Sequence, residues 1–171
     1  MTDKTPLIIE FLRGVGEDAA GRKIEDYLKF TPQEMEEIHD YIQWVFPTET
    51  RSMFNKKAPI LNRHIIHAIN SLPGAMANYL RFLDKMLVFY MLNKHWLVEK
   101  DHNHLRITRI IESVSLIAGE RMAAHVYKTL MRLIVNAGHP VDDRAITIWQ
   151  DKYHEINGVY PPMFIQEDRW Q

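Results

Sequence analysis

Two stretches of this chain crowd groups that can do chemistry beside helix boundaries: His39-Asp-Tyr-Ile-Gln-Trp-Val-Phe-Pro47 and Asp101-His-Asn-His-Leu-Arg-Ile-Thr-Arg-Ile110. In the second, Arg106, Arg109 and Ser113 recur at helical spacing and share a face, while Ile107, Ile110, Ile111 and Val114 take the core face. A helix start carrying His102, Asn103, His104, Arg106, Thr108 and Arg109 suits an anion such as phosphate or carboxylate. Free backbone N–H groups and guanidinium forks both donate to such a group. In the first stretch, Tyr41 and Trp44 supply an aromatic wall, Asp40 and Gln43 directed hydrogen bonds, and Pro47 ends the segment. Apolar walls with a few polar groups are the usual make-up of a ligand pocket. The competing reading is packing: Trp44 and Phe46 fill the core, and Arg106 and Arg109 pair with acidic side chains such as Asp40, Asp84 or Glu112.

Catalysis has a narrower basis. His104 or His39 with Asp40 would make an acid-base pair, because imidazole titrates near neutrality. No nucleophile elbow, phosphate-binding glycine loop or paired-carboxylate signature accompanies them. Of the nine histidines, His64 and His67 stand at i, i+3, and His102 and His104 flank Asn103. Neither pair carries the Glu or second His of a zinc motif such as His-Glu-x-x-His, so no metal and no cofactor are expected.

These residues must be positioned by helices, since the apolar pattern is helical from end to end and contains no convincing strand. Pro6 to Arg13 and Ile24 to Phe30 read as short helices. Thr31, Pro32 and Glu34 form capping-box spacing for a helix running to about Val45, where Pro47 stops it. Residues 48–59 are polar and irregular, a loop long enough to suggest function or disorder. Asn62 caps a helix to Ser71, and Pro73 opens a longer one to about Lys94, apolar around most of its axis and therefore central. Asp101 or Asn103 starts a helix over Leu105 to Ala118, a further helix covers Glu120 to Ala137, and Asp142 or Asp143 begins the last, to about Asn157. Beyond Gly158, residues 159–171 read as an extended tail with Phe164, Arg169 and Trp170. The fold expected is all-α: one domain of seven or eight helices, with residues 1–137 as its body and 138–171 as a helix and tail packed on it.

A length of 171 residues with 46% hydrophobic and 25% charged content suits one domain with a real core. Lys and Arg total 21 against 22 acidic residues, so the balance gives no strong nucleic-acid signal; Arg106, Arg109, Lys128 and Arg132, with Trp149 and the tail, are all that a nucleic-acid-associated protein would draw on. Zero cysteines exclude disulfides and thiolate metal sites, which fits a reducing cytoplasm. The N-terminus does not read as a secretory signal, and the longest apolar block, Met86 to Leu92, is far short of the roughly 20 residues that span a bilayer. The residues fix no oligomeric state.

In the blocks His39 to Pro47, Ala58-Pro-Ile-Leu61, Met86-Leu-Val-Phe-Tyr90 and His102-Asn-His-Leu-Arg-Ile-Thr-Arg-Ile-Ile111, in that order and spacing, the chain resembles the conserved region of the opioid growth factor receptor family. The resemblance runs from roughly Leu7 to Ala137, and the chain looks like the compact, microbial type of member, whereas animal members carry long additional regions. It implies receptor-like binding of an enkephalin peptide with regulation of growth, in animal members at nuclear or membrane-associated locations. The expectation is a non-enzymatic, receptor-like binding or regulatory module for a small anionic ligand, a peptide or a protein. Its site would join the Asp40 to Pro47 helix end with the His102 to Arg109 helix start. The rival is an enzyme using Asp40, His104, Arg106 and Arg109 on an anionic small molecule.

Overall fold

The computed structural model describes residues 7–163, so Pro6 and the tail residues Phe164, Arg169 and Trp170 lie outside the described part. Nine α-helices and one 3₁₀ turn follow in chain order, with no strand among the described residues. They are α1 (Leu7–Leu12), α2 (Ile24–Leu28), α3 (Pro32–Glu37), α4 (Ile42–Val45), α5 (Arg63–Ser71), α6 (Pro73–Leu92), the 3₁₀ turn Lys94–Trp96, α7 (Asn103–Ile117), α8 (Glu120–Asn136) and α9 (Asp143–Asn157).

The caps predicted from sequence form. Thr31 Oγ1 accepts from the Glu34 amide at 3.2 Å while Glu34 Oε2 accepts from the Thr31 amide at 2.8 Å, a reciprocal capping box. Asn62 caps α5 through the Ile65 amide, and Asp142 accepts from the Arg144 amide at the start of α9. Helix α9 stops at Gly158, whose φ of +72° is open to glycine at no steric cost. For α7 the cap is indirect: Asp101 Oδ1 accepts from the Asn103 amide at 2.8 Å, while His102 occupies the N-cap position without a side-chain cap.

Helix α6 is the axis of the molecule. Ala75, Tyr79, Phe82, Leu83, Met86, Leu87, Phe89 and Tyr90 are buried on it, and it packs against α1, α2, α5 and α8. Against it sits an aromatic cluster in which Tyr27, Tyr41 and Phe82 meet edge to face at centroid distances of 5.7 to 6.1 Å. Helix α7 packs between α8 and α9, with Ile107, Ile110, Ile111 and Val114 fully enclosed. Trp149 of α9 is buried and donates its indole N–H to the His104 carbonyl at 3.1 Å, tying α9 to the first turn of α7.

The helix expected from Thr31 to Val45 is interrupted. Ile38 leaves the helix at φ −83°, ψ 125°, and α4 restarts only at Ile42. The cause comes from far along the chain. Arg106, 6% exposed, enters from α7 and donates to the carbonyls of Met35 at 2.8 Å, Glu36 at 3.2 Å and Ile38 at 3.0 Å. These are orphan acceptors at the end of a helix, and the guanidinium fork satisfies them in place of the amides that another turn of helix would bring. Met35 O also accepts from the Tyr41 hydroxyl at 2.9 Å, and the Arg106 guanidinium lies 5.7 Å from the centre of the Tyr41 ring.

Candidate functional site

The break between α3 and α4 creates a concavity against α7. A cleft of about 460 Å³ is lined by residues of the α3–α4 connection, the loop after Pro47 and the outer face of α7. That volume lies in the range of small-molecule sites. The segments Asp40 to Pro47 and His102 to Arg109 are in direct contact, since Arg109 Nε donates to the Phe46 carbonyl at 2.8 Å, and just before the first of them the His39 ring meets that of His102 edge to face at 5.4 Å.

Of the eleven residues singled out from sequence, Asp40, Gln43, His102, Arg106, Thr108 and Arg109 line the cleft. The others serve the interior. Tyr41 is fully enclosed, Trp44 packs edge to face on Phe11 at 5.5 Å, and Pro47 is buried. The aromatic wall expected of Tyr41 and Trp44 is therefore core, because the broken helix turns both rings toward α1 and α6 instead of solvent. Asn103 is 0% exposed and binds side chains rather than the cleft. His104 is buried, donates from Nε2 to the Trp96 carbonyl at 2.9 Å, and is held between the Trp96 and Trp149 rings. Asp40 turns to Arg22, with its Oδ1 2.8 Å from Nη2. The Asp40 and His104 pair that acid-base chemistry would need is not assembled, since each group already has another partner.

The two arginines also differ from their expected pairing with carboxylates. Arg106 caps α3, with Glu36 only loosely opposite at 3.9 Å. Burial, and then the Arg106 and His102 charges, push the His39 imidazole below its usual value. Arg106 Nη2 donates to His39 Nδ1 at 3.1 Å. Arg109 donates from Nε to the Phe46 carbonyl at 2.8 Å, which closes the end of α4. Its Nη2 is sealed from solvent and has no hydrogen-bond partner among the described residues. Burial lowers the Arg109 guanidinium from its ordinary value, with Glu112 opposing that shift, and burial raises the Glu112 carboxyl. A cation at the cleft wall thus keeps unused donor capacity, an expensive condition for a charged group out of water.

Several lining residues belong to the 48–59 loop and are not singled out individually by the sequence. Ser52, 9% exposed, accepts from the amides of Phe54 and Asn55, and Asn55 donates to the Asp40 carbonyl at 3.2 Å. These bonds pin the 48–59 loop over the cleft. Gln43, with its amide nitrogen turned inward, donates to the His39 and Asp40 carbonyls at 3.1 Å each. Phe54 at 88% and Leu105 at 65% exposed give the cleft an apolar rim, and Ile42 and Glu112 complete its lining. Phe54 and Ser52 sit in a segment whose composition reads only as loop, so a placement that depends on the Asn55 bond to Asp40 could not be read locally.

No helix among the described residues is long and apolar enough to cross a membrane. No curated protein and no solved structure matches the chain. Residues 18–96 match the family model of the Opioid growth factor receptor (OGFr) conserved region, so the family resemblance holds over the blocks at residues 39–47, 58–61 and 86–90, while the block at residues 102–111 lies beyond the match.

Proposed function

We propose that this chain is a non-enzymatic, receptor-like binding module that takes an anionic group, a carboxylate or phosphate on a small molecule or peptide, in the cleft between residues 39–55 and α7. The observation that carries this reading is Arg109: a guanidinium on the cleft wall whose one hydrogen bond among the described residues runs from Nε to the Phe46 carbonyl, so that Nη1, which is not sealed off as Nη2 is, has no protein acceptor. A ligand oxyanion supplies the missing acceptor, and such a charge-assisted bond is stronger than a neutral one. Phe54 and Leu105 at the rim offer apolar area to a ligand's side chain, and Thr108 and Asn55 offer polar contacts. The match to the opioid growth factor receptor conserved region favours a peptide among these ligands. A binding role is preferred over catalysis because His104 is committed to Trp96 and Asp40 to Arg22.

The test is a thermal-shift screen of the purified chain against carboxylate-bearing peptides including Met-enkephalin, nucleotides, phosphosugars and short nucleic acids, with Arg109→Gln alongside. A ligand that binds only the folded state raises Tm by mass action. A shift present in the parent and absent in Arg109→Gln supports the reading; a flat screen, or a shift that persists in the variant, rejects it. Turnover of any bound compound would favour the enzyme instead.

A further inference from the structure

At the edge of the cleft three ligand-type side chains, Glu36, Asp101 and His102, converge, and a fourth, His95, adjoins them through Glu36. Glu36 comes from the end of α3, His95 from the 3₁₀ turn, and Asp101 and His102 from the turn that opens α7. One donor atom each from Glu36, Asp101 and His102 lies within 4.8 Å of the others. His102 Nε2 stands 3.0 Å from Glu36 Oε1, and His95 Nε2 stands 3.0 Å from Glu36 Oε2. Donors around a tetrahedral ion at about 2.0–2.2 Å are themselves separated by about 3.3–3.6 Å, a spacing that Glu36, Asp101 and His102 approach, while His95 must turn from Glu36 Oε2 to complete the set.

We propose that Glu36, Asp101, His95 and His102 form a binding site for one divalent first-row transition-metal ion of the zinc type. Two imidazoles with two carboxylates is a donor set suited to such an ion, whereas calcium and magnesium take oxygen-only shells. The carboxylates are held by a supporting layer of the kind that metal ligands have. Asn103, with no exposure, donates from Nδ2 to Asp101 Oδ1 at 2.8 Å and to Glu36 Oε2 at 3.2 Å, and its own Oδ1 accepts from Arg106 at 3.3 Å and from the Tyr90 hydroxyl at 3.4 Å. The imidazoles are seated too, His95 against Phe89 at 6.0 Å and His102 against His39 at 5.4 Å. Their side chains remain 42% and 43% exposed, which leaves an entry path for the ion.

The local charge favours a cation. Two carboxylates face one guanidinium, and Arg106, 3.9 Å from Glu36 Oε2, directs its N–H groups to backbone carbonyls, His39 and Asn103. An ion here would join the end of α3 and the 3₁₀ turn to the start of α7. His102, which also lines the cleft, would place it at the cleft's edge. Local spacing hides this set: His95 and His102 are seven residues apart, and Glu36 comes from a distant helix.

The experiment is a titration of chelator-treated protein with Zn²⁺ and Co²⁺, read by calorimetry and by the visible spectrum of bound Co²⁺, with Ca²⁺ as the comparison ion. The expected result is one ion per chain, with affinity weakened about tenfold or more by Glu36→Gln and by His102→Gln. Replacing the exposed α5 pair, His64→Gln with His67→Gln, leaves binding unchanged. Far-UV circular dichroism verifies folding; if Glu36→Gln does not fold, the two exposed variants His95→Gln and His102→Gln carry the comparison. No uptake of Zn²⁺ or Co²⁺, uptake equal to that of Ca²⁺, uptake that survives the ligand variants, or uptake lost with the α5 pair overturns the proposal.

Discussion

Replacing Arg106 by Met keeps most of the buried stem and removes the fork that ends α3. Met35 O retains the Tyr41 hydroxyl as a donor, but the Glu36 and Ile38 carbonyls lose the donor that Arg106 gives them. An orphaned buried acceptor costs about 1–3 kcal/mol, and these two are part-buried, so the variant should lose about 2–4 kcal/mol. For a chain of this size 1 kcal/mol corresponds to about 2–4 °C, which places the expected fall in Tm at about 4–16 °C. Urea unfolding followed by circular dichroism measures it, with Arg109→Gln as the reference. Arg109 gives up one bond to Phe46 O but also relieves an unpartnered Nη2, so its change should stay within about 1 kcal/mol. If Arg106→Met lost less than about 1 kcal/mol, the capping argument would be wrong. The α3–α4 break would then need another cause.

Other consequences can be measured in the same way. Asp18, 6% exposed, accepts from the Ala20 and Arg22 amides, the Arg22 guanidinium and the Tyr27 hydroxyl. Burial pushes its carboxyl up, but the bonds from Tyr27, Arg22 and Ala20 outweigh it and hold it below the usual 3.8. A depressed folded value means that the stabilisation is complete above the unfolded value and is lost as pH falls through the folded one. Wild-type stability should therefore drop below about pH 4, and Asp18→Asn, about 2–4 kcal/mol weaker at pH 7, should show a shallower acid limb. Thr31→Ala removes the capping box and should cost about 1 kcal/mol in urea unfolding. Trp149→Ala opens a cavity beside His104 and should cost about 3–5 kcal/mol; a loss under about 1 kcal/mol would show that α9 is not anchored there.

The helices were legible because their signals are local. Thr31 with Glu34, Asn62, Pro73 and Gly158 act within a turn of their own positions, and the apolar faces of α6 and α7 repeat at helical period. The interruption at Ile38 was not, since its cause is a side chain 68 residues later whose preferred partners are backbone carbonyls. The same long reach explains the mixed outcome at the site. Side chains on the outer face of α7, such as Arg109 and Thr108, follow from helical periodicity once the core face is known. Tyr41 and Trp44 depended on where the chain turned after α3, and the turn sent them inward. Glu36 and His95 carried no neighbouring pattern at all, because their juxtaposition arises only when α3, the 3₁₀ turn and α7 pack.

The measurement that bears most directly on the central claim is an NMR titration of isotope-labelled protein that follows the Arg109 side-chain signals and the Gln43, Asn55 and Thr108 resonances. Carboxylate peptides and phosphate compounds would be added to parent and Arg109→Gln proteins. The account predicts saturable shifts confined to the cleft residues for at least one class of anion, abolished in Arg109→Gln while the fold is retained. Shifts that map elsewhere, or that are identical in the variant, would contradict it.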